Sequence, residues 1–502
     1  MNTLQQLEQI QLDAFGFLPE LSLSILFIVV ILFGLIFRKQ QQWLLPAIFF
    51  IGLSGVVWSE FGQLAINKKL FSGMLLLSTR AVYFKFLFAM CGFLVIVFSL
   101  LSKEIKLLKD KQLEYWSLIT AILFGAHLLI MSVNLLMVFL SLEIVSVGSY
   151  ILVAIIQNKK TAEASLKYIL FGMFASALML YGISLLFGFT GGIDFAQPTF
   201  TQLLNKVHRL PLLIAIGFFA TGVLFKIAAF PFHLWTPDVY EGTPAPIIAF
   251  LSAITKVAGF ALLMNCMPWL SALKLGVVDI HLTIGLIALL TISVGNFSAL
   301  FQKDFKRMLG YSAIAHSGFI LLALVNENGS SDGFVFFYLL TYLPVNFLVF
   351  FLSEKLSDAK QSSLINDYNG VGTKYPAWGI IMLVAAVSLT GLPPTAGFMA
   401  KLFVFGSLWE SYSSLHHKLY LFLFVFGLIN TVVSLFYYLK VPYIMFLRKL
   451  NGDTLMSQSV WAYVYAAALS LVLLLLFFKA DVVLAKIMAV FGNICYPLKT
   501  IF

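Results

Sequence analysis

Four ionisable side chains lie inside long apolar runs of this sequence: Glu143, Lys226, Lys256 and Lys401. A charge at the centre of a membrane-spanning helix costs about 2.5–3.5 kcal/mol. Four unpaired charges would therefore cost about as much as the whole stability of a domain, on the order of 10 kcal/mol. Ionisable groups at such positions are typical of ion and proton pathways. We expect these four residues to take part in proton transfer rather than to form inert ion pairs.

A proton can pass between such groups if a carboxylate changes how strongly a neighbouring amine holds its proton. Opposite charges about 4 Å apart interact by roughly 4 kcal/mol at an effective dielectric constant near 20. Glu143 could thus switch Lys226 between holding and releasing a proton. We expect Lys256 and His316 to continue the path and Lys401 to be its last station, although a lone buried histidine is often a core residue. Glu143 is the only acidic residue that we place deep in an apolar run, so a proton is a better cargo than Na⁺.

Two other titratable residues are expected to be structural. Lys85 lies near the start of its apolar run, so its long side chain should reach the membrane interface. His127 has no polar residue close to it in sequence. We expect His127 to lie in an apolar core.

The composition is that of a membrane protein. The chain has 502 residues, of which 61% are hydrophobic and 11% charged. Soluble domains are about 45–50% apolar and about 25% charged. The values for this chain exclude a water-soluble enzyme, a disordered chain and a nucleic-acid-binding protein.

The apolar runs predict an all-α polytopic membrane protein with about fourteen transmembrane helices of around 20 residues. The predicted spans are 21–37, 43–58, 80–101, 116–132, 134–156, 164–190, 211–235, 244–266, 280–300, 308–325, 333–352, 376–408, 418–446 and 459–478. Positive charge is concentrated on one side: the predicted inner loops hold 18 Lys and Arg, and the outer side holds 10. By the positive-inside rule both termini face outward. The acidic N-terminus also lacks the basic start of a cleaved signal peptide.

Cysteine and histidine offer no redox or metal site. Cys91, Cys266 and Cys495 lie far apart, and no C-x-x-C pair is present, so ligands for zinc or an iron–sulfur cluster are lacking. Nothing in the sequence selects a pair of histidines for haem, and no phosphate-binding glycine motif is present. We expect no cofactor and no metal in this chain.

Proline and glycine interrupt two predicted helices in corresponding places. Pro231 breaks the seventh span five residues after Lys226, and Pro393 and Pro394 break the twelfth shortly before Lys401. Proline removes a backbone donor and clashes with the preceding turn, so both helices must open. The reversed order of lysine and break, five spans apart, predicts two inverted five-helix repeats.

These repeats define the predicted domains. Residues 1–115 hold helices 1–3, and residues 116–266 form the first repeat, helices 4–8. Residues 280–446 form the second repeat, helices 9–13. Residues 459–502 hold helix 14 and a tail.

Three long motifs lie in the predicted repeats: KIAAFPFHLWTPDVYEGTPAP at 226–246, KRMLGYSAIAH at 306–316 and GLPPTAGFMAK at 391–401. These motifs resemble a known family, the antiporter-like membrane subunits of respiratory complex I, and are most similar to its subunit N (subunit 2). The likeness runs from about residue 115 to 446.

The resemblance implies fourteen helices and a role as a proton-translocating subunit of NADH:quinone oxidoreductase. It implies that Glu143, Lys226, Lys256 and Lys401 are the family's glutamate and lysines of helices 5, 7, 8 and 12. NADH, FMN, iron–sulfur clusters and quinone would then belong to partner subunits, and the partners would be the other membrane and peripheral subunits of the complex. The expected location is a bacterial inner membrane.

Two alternatives remain open at this point. The chain could be a subunit of a multisubunit Na⁺/H⁺ antiporter, or a structural scaffold with inert ion pairs. A lysine at position 401 and the single deep acid favour the complex I subunit.

Overall fold

The computed structural model describes residues 13–37, 41–156, 158–276, 278–326, 331–450, 456 and 459–491. Its helices are α1 (Leu18–Ile36), α2 (Gln41–Phe61), α3 (Thr79–Leu101), α4 (Gln112–Met131), α5 (Leu135–Val153), α6 (Lys159–Thr190), α7 (Arg209–Lys226), α8 (Thr236–Gly242), α9 (Ala245–Ser271), α10 (Ile280–Leu300), α11 (Phe305–Ala323), α12 (Ser331–Lys360), α13 (Pro376–Thr390), α14 (Ala396–Leu415), α15 (Lys418–Leu447), α16 (Val460–Phe478) and α17 (Ala480–Phe491). Short helical turns lie at Lys103–Lys106, Pro198–Leu204 and Val371–Lys374. Two strands, β1 (Lys68–Leu70) and β2 (Leu75–Leu77), pair antiparallel between α2 and α3.

The prediction of an all-helical polytopic membrane protein is confirmed. Within the described residues, 12 helices are long and apolar enough to cross a membrane, and α13 is a shorter apolar helix. Each of the fourteen predicted spans contains a helix. The tenth predicted span, α11, and the twelfth, α13 with α14, are not among those 12, so the number fourteen stays a prediction.

Polar residues at the helix starts explain why the helices begin where they do. The side chains of Ser78, Asn134, Asp279 and Asp304 accept hydrogen bonds from backbone N–H groups in the first turns of α3, α5, α10 and α11. Asn158 forms a capping box at the start of α6. Such caps satisfy donors that have no partner inside the helix, which matters most where no water is available.

The chain forms two compact units, and the first comprises Met1–Lys226 and Ile254–Val278. In it α1 packs against α2 and α4, α4 against α5, and α6 against α7. The β1–β2 hairpin lies at one end of these helices, where Leu75 of β2 pairs with Ser132 just after α4.

The second unit comprises Ile227–Ala253 and Asp279–Phe502. In it α10 packs along α11, α13 along α15, and α12 against α14, α16 and α17. α10 and α11 pack closely at Gly318. A Cβ at this position would lie only 2.7 Å from the backbone oxygen of Ala288, so a larger residue would push the helices apart. Residues 492–502 of the predicted tail lie outside the described residues.

Both predicted breaks lie between two helices. In the seventh span α7 ends at Lys226 and α8 begins at Thr236, with Pro231 between them. In the twelfth span α13 ends at Thr390 and α14 begins at Ala396. Backbone groups freed at these breaks need partners inside the protein. One of them, the N–H of Phe230, donates to Thr291 Oγ1 on α10 at 3.0 Å.

Candidate functional site

Glu143 and Lys226 lie on neighbouring helices of the first unit. The half-buried carboxylate of Glu143, in the middle of α5, accepts a hydrogen bond from Ser176 on α6 at 2.5 Å. The ammonium of Lys226, the last residue of α7, donates to Ser146 Oγ on α5 at 3.1 Å. Because Ser146 lies three residues after Glu143, both partners are on one face of α5. The carboxylate and the ammonium interact electrostatically, which is the pairing that proton switching requires.

Lys256 lies on α9, two residues into the part of that helix that belongs to the first unit. Its side chain is 1% exposed, and every residue of α9 from 245 to 264 is buried. A side chain so enclosed cannot snorkel to an interface. The amine of Lys256 is therefore held inside protein, as predicted from its position in the run.

His316 lies in the second unit, where each of its ring nitrogens contacts a tyrosine hydroxyl. Nδ1 is 2.8 Å from Tyr338 Oη on α12, and Nε2 is 3.2 Å from Tyr438 Oη on α15. The hydroxyl of Tyr438 is in turn hydrogen-bonded to Ser312, one turn before His316 on α11. The four side chains form a continuous hydrogen-bonded row, Tyr338–His316–Tyr438–Ser312. A neutral imidazole donates at one nitrogen and accepts at the other, so the row can carry a proton by exchange of tautomers.

Lys401 lies at the open end of α13. Its ammonium donates to the backbone oxygens of Thr390 at 2.7 Å and Leu389 at 3.3 Å, and it lies 4.4 Å from the centre of the Phe319 ring. Gly391, which ends α13, has φ +85°, and a Cβ there would lie 2.6 Å from Cδ of Lys401. The glycine thus permits both the left-handed helix end and the close passage of the lysine side chain.

An ion-pair network holds the short helix α8 against α11. Arg307 Nη1 lies 2.6 Å from Asp238 Oδ1 and 2.9 Å from Glu241 Oε2. A Cβ on Gly310 would lie 3.0 Å from Cα of Pro237, so the two helices touch closely. These residues belong to the first two motifs, and their part in fixing α8 beside His316's helix was not foreseen from the sequence.

A second group of buried charges corrects three expectations. Lys85 does not reach an interface: it is fully buried and lies 2.7 Å from the carboxylate of Glu20. His127 is buried as expected, but among charges, because its ring nitrogens face Glu20 at 3.3 Å and Glu60 at 3.6 Å. Glu143 is therefore not the only deep acid. Glu20 and Glu60 lie near the ends of α1 and α2, where an acidic residue in sequence looks solvated.

The structure thus places the predicted stations in two groups. The first unit contains Glu143, Lys226 and Lys256, and the second contains His316 and Lys401. The hydroxyl groups that bind these side chains were not identified from the sequence in either group. The spacing of Ser146 from Glu143 is a signal that could have been read, whereas Tyr338 and Tyr438 come from distant parts of the chain.

No metal site emerges from the described part of the chain, which contains no group of three or more His, Cys, Asp or Glu side chains able to hold an ion. Cys91 and Cys266 are buried thiols, and Cys495 lies outside the described residues.

Comparison with known proteins identifies the relatives of this chain. The family described as NADH:quinone oxidoreductase/Mrp antiporter, transmembrane, matches residues 132–434. NADH-quinone oxidoreductase subunit N of Chlorobium chlorochromatii is 36% identical over 442 residues, which are 86% of this chain and 85% of that protein. NADH-quinone oxidoreductase subunit N 2 of Chloroherpeton thalassium is 37% identical over 445 residues, 87% of this chain and 86% of that protein.

Solved structures agree with this fold. A chain of respiratory complex I from Thermus thermophilus superposes with a TM-score of 0.76 at 27% identity, covering 93% of this chain and 98% of that chain. A chain of the Mrp complex from a Dietzia species has the same fold, with a TM-score of 0.79 at 17% identity over 96% of this chain and 98% of that chain. This chain therefore belongs to the NADH-quinone oxidoreductase subunit N family, within the wider family of complex I and Mrp antiporter membrane subunits.

Proposed function

We propose that this chain is a proton-translocating membrane subunit of NADH:quinone oxidoreductase, driven by electron transfer in other subunits of the complex. The observation that carries the proposal is the set of three buried lysines, Lys226, Lys256 and Lys401, which lie in runs that the sequence predicts to span the membrane. A permanent charge in such a place is costly, whereas an amine that gains and loses a proton can serve as a station.

The first step of the proposed path uses the Glu143–Lys226 pair. When Glu143 is ionised it favours the ammonium form of Lys226, and when its charge is screened or moved away Lys226 releases its proton. Ser176 holds the carboxylate on one side, and Ser146 holds the amine on the other. The proton then passes to Lys256, with water between the stations.

The last steps use His316 and Lys401. In the row through Tyr338 and Tyr438, the imidazole takes a proton at one nitrogen and releases another at the opposite nitrogen. The ring is then the other tautomer, and rotation of the ring and of the hydroxyl groups restores the row before the next proton passes. Lys401 is the final station of the proposed path. Backbone oxygens at the end of α13 accept from its amine, which can donate to them in either protonation state.

We also propose that helices 4–8 and 9–13 are inverted repeats, and that both termini face the outer side of a bacterial inner membrane. The two interrupted spans support the repeat: each has a lysine near the break. The redox cofactors would belong to partner subunits, with which this chain assembles.

Membrane vesicles that contain the whole complex provide the test. We expect Lys256→Ala to leave an assembled complex and to lower NADH-driven proton uptake at least about tenfold, a barrier change of about 1.4 kcal/mol. Lys167→Ala is the matched control, because Lys167 is 39% exposed and pairs with Glu163 on the same helix. Unchanged proton uptake in the assembled Lys256 variant would remove that residue from the path.

The same vesicles distinguish the proposed function from the alternative, a subunit of a Na⁺/H⁺ antiporter. A Na⁺/H⁺ antiporter subunit would move protons when a Na⁺ gradient is applied without NADH. The proposed subunit responds to NADH and quinone and shows no proton movement from the Na⁺ gradient alone.

A further inference from the structure

A second cluster of buried titratable groups, outside the proposed path, joins the first four helices. It consists of Glu20 on α1, Glu60 on α2, Lys85 on α3 and His127 on α4. Glu20, Glu60 and Lys85 are fully buried, and His127 is 1% exposed. The proposed path gives these residues no role.

The contacts link all four side chains. Lys85 Nζ lies 2.7 Å from Glu20 Oε1 and donates to Gln63 Oε1 at 3.1 Å. His127 lies between the two carboxylates, with Nδ1 3.3 Å from Glu20 Oε1 and Nε2 3.6 Å from Glu60 Oε1. Glu20 thus faces both basic groups, and Glu60 faces His127.

The charges of the four side chains balance only if the cluster holds one proton in addition to the one on the Lys85 ammonium. With Lys85 charged, both glutamates ionised and His127 neutral, the four buried groups carry one net negative charge. An uncompensated charge in a protein interior is strongly unfavourable. One additional proton, on His127 or on Glu60, makes the cluster neutral.

The two positions for this proton are adjacent. A proton on His127 gives an imidazolium between two carboxylates, and a proton on Glu60 gives a neutral carboxyl beside a neutral imidazole. Neither oxygen of Glu60 has a hydrogen-bond partner within the described residues, so no neighbour there fixes its ionised form. Transfer across the Nε2–Oε1 contact changes no net charge.

Other charged groups at this end of the helices have partners of their own. Asp13 pairs with Lys68 at 3.0 Å and accepts a hydrogen bond from Phe71 N. Arg80, at the start of α3, donates to the amide oxygen of Asn265. Lys69, on the hairpin, is exposed. The extra proton therefore lies on Glu60 or on His127.

The cluster lies close to the surface but is covered. Glu60 is one residue from the end of α2, so a proton has a short distance to travel. Above it, Gln63 donates to the backbone oxygen of Gly16 at 2.8 Å, and the rings of Phe17 and Phe71 meet edge to face at 5.2 Å. The turn of the hairpin and the segment before α1 thus close this end of the bundle.

We propose that Glu20, Glu60, Lys85 and His127 form a second proton-binding site, which holds a single exchangeable proton shared between His127 and Glu60. The site is separate from the path through Glu143. Lys85 and Glu20 set its charge, and the covered helix ends control its access to water.

Infrared spectroscopy of the purified complex during a pH titration tests the proposal, because a protonated carboxyl has its own C=O band that shifts in D₂O. We expect a band that changes with pH in the wild type and is lost in Glu60→Gln. In His127→Gln the proton can no longer lie on the imidazole, so the Glu60 band should be stronger than in the wild type at the same pH. Glu163→Gln is the control, since Glu163 is 63% exposed. Identical spectra for the wild type and Glu60→Gln overturn the proposal, as does a Glu60 band in the wild type that never changes with pH.

A charge-compensation experiment gives independent evidence from assembly. Lys85→Met leaves two carboxylates and one histidine, so two protons are needed for neutrality, and we expect at least fivefold less assembled complex. Adding Glu60→Gln lowers the requirement to one proton and should restore assembly. A double variant no better than Lys85→Met refutes the charge count. Neither experiment measures pumping, so failure here leaves the proposed function untouched.

Discussion

Replacing Tyr438 by phenylalanine tests the proton row around His316 most directly. The change removes only one hydroxyl, which bridges Ser312 Oγ and His316 Nε2. The ring stays and keeps its packing against Tyr437, whose ring centre is 4.3 Å away. The row is cut at one point while the fold around it is preserved.

The size of the effect follows from the two lost contacts. Each buried hydrogen bond contributes about 0.5–1.5 kcal/mol to stability, so the complex should lose about 1–3 kcal/mol. If the same hydroxyl carries the proton away from His316, the barrier to that step rises by a similar amount, and about 1–3 kcal/mol corresponds to a rate about 5- to 150-fold slower. We expect proton uptake per NADH oxidised to fall in vesicles with normal content of the complex.

Tyr437→Phe is a control matched in size and burial. Tyr437 is the neighbouring residue, and its hydroxyl donates to Asn296 Oδ1 at 2.9 Å rather than to His316. Both variants lose a buried hydroxyl, so a loss of stability alone lowers the content of assembled complex in both and leaves proton uptake per NADH oxidised unchanged. If the two variants pump protons equally well, or lose pumping to the same extent, the reasoning about the Tyr438–His316 contact is wrong.

Three further substitutions test other parts of the site. Glu143→Gln should lower proton uptake strongly. Ser176→Ala should lower it more weakly, because this change keeps the carboxylate and removes only one hydrogen bond to it, worth about 1.5–3 kcal/mol. Equal proton uptake in the two variants would argue against a role for the charge of Glu143. Lys401→Met should lower proton uptake in vesicles that contain the assembled complex. Lys418→Met changes an exposed lysine at the start of α15 and should leave proton uptake normal. Fluorescence quenching in vesicles measures proton uptake in both variants. Arg307→Gln should lower the free energy of unfolding by only about 1 kcal/mol, since its ion pairs are about a third exposed, and a thermal melt of the complex measures it.

Hydropathy alone predicted the helical architecture well. Each predicted span contains a helix, because lipid requires about 20 apolar residues and leaves few alternatives. The ends were less predictable. α12 continues to Lys360, beyond the predicted end at 352. Glu354 and Lys355, which lie in this extra part of the helix, are buried, and their charged groups are 3.6 Å apart. A charged pair that reads as a loop can be part of a helix when other helices cover it.

The candidate site was predictable only where the chemistry is local. A lysine inside an apolar run is visible without a structure, and Lys256 and Lys401 were found in this way. The cluster around Glu60 was missed because each member lies near a helix end, where a charge normally faces water. Only the packing of α1, α2, α3 and α4 together buries these ends, and no periodicity in the sequence reports that packing.

The reversed order of lysine and break in the two interrupted spans has one physical explanation. In the seventh span Lys226 is the last residue of the helix before the break, and in the twelfth Lys401 comes from the helix after it but donates to the last carbonyls of the helix before it. The amine of Lys401 thus lies at the carboxyl end of a helix, where the unsatisfied carbonyls carry partial negative charge, and Lys226 is itself the last residue of a helix. A continuous helix has no such end at membrane depth. In the twelfth span the proline break therefore creates a helix end whose carbonyl oxygens stabilise the ammonium of Lys401.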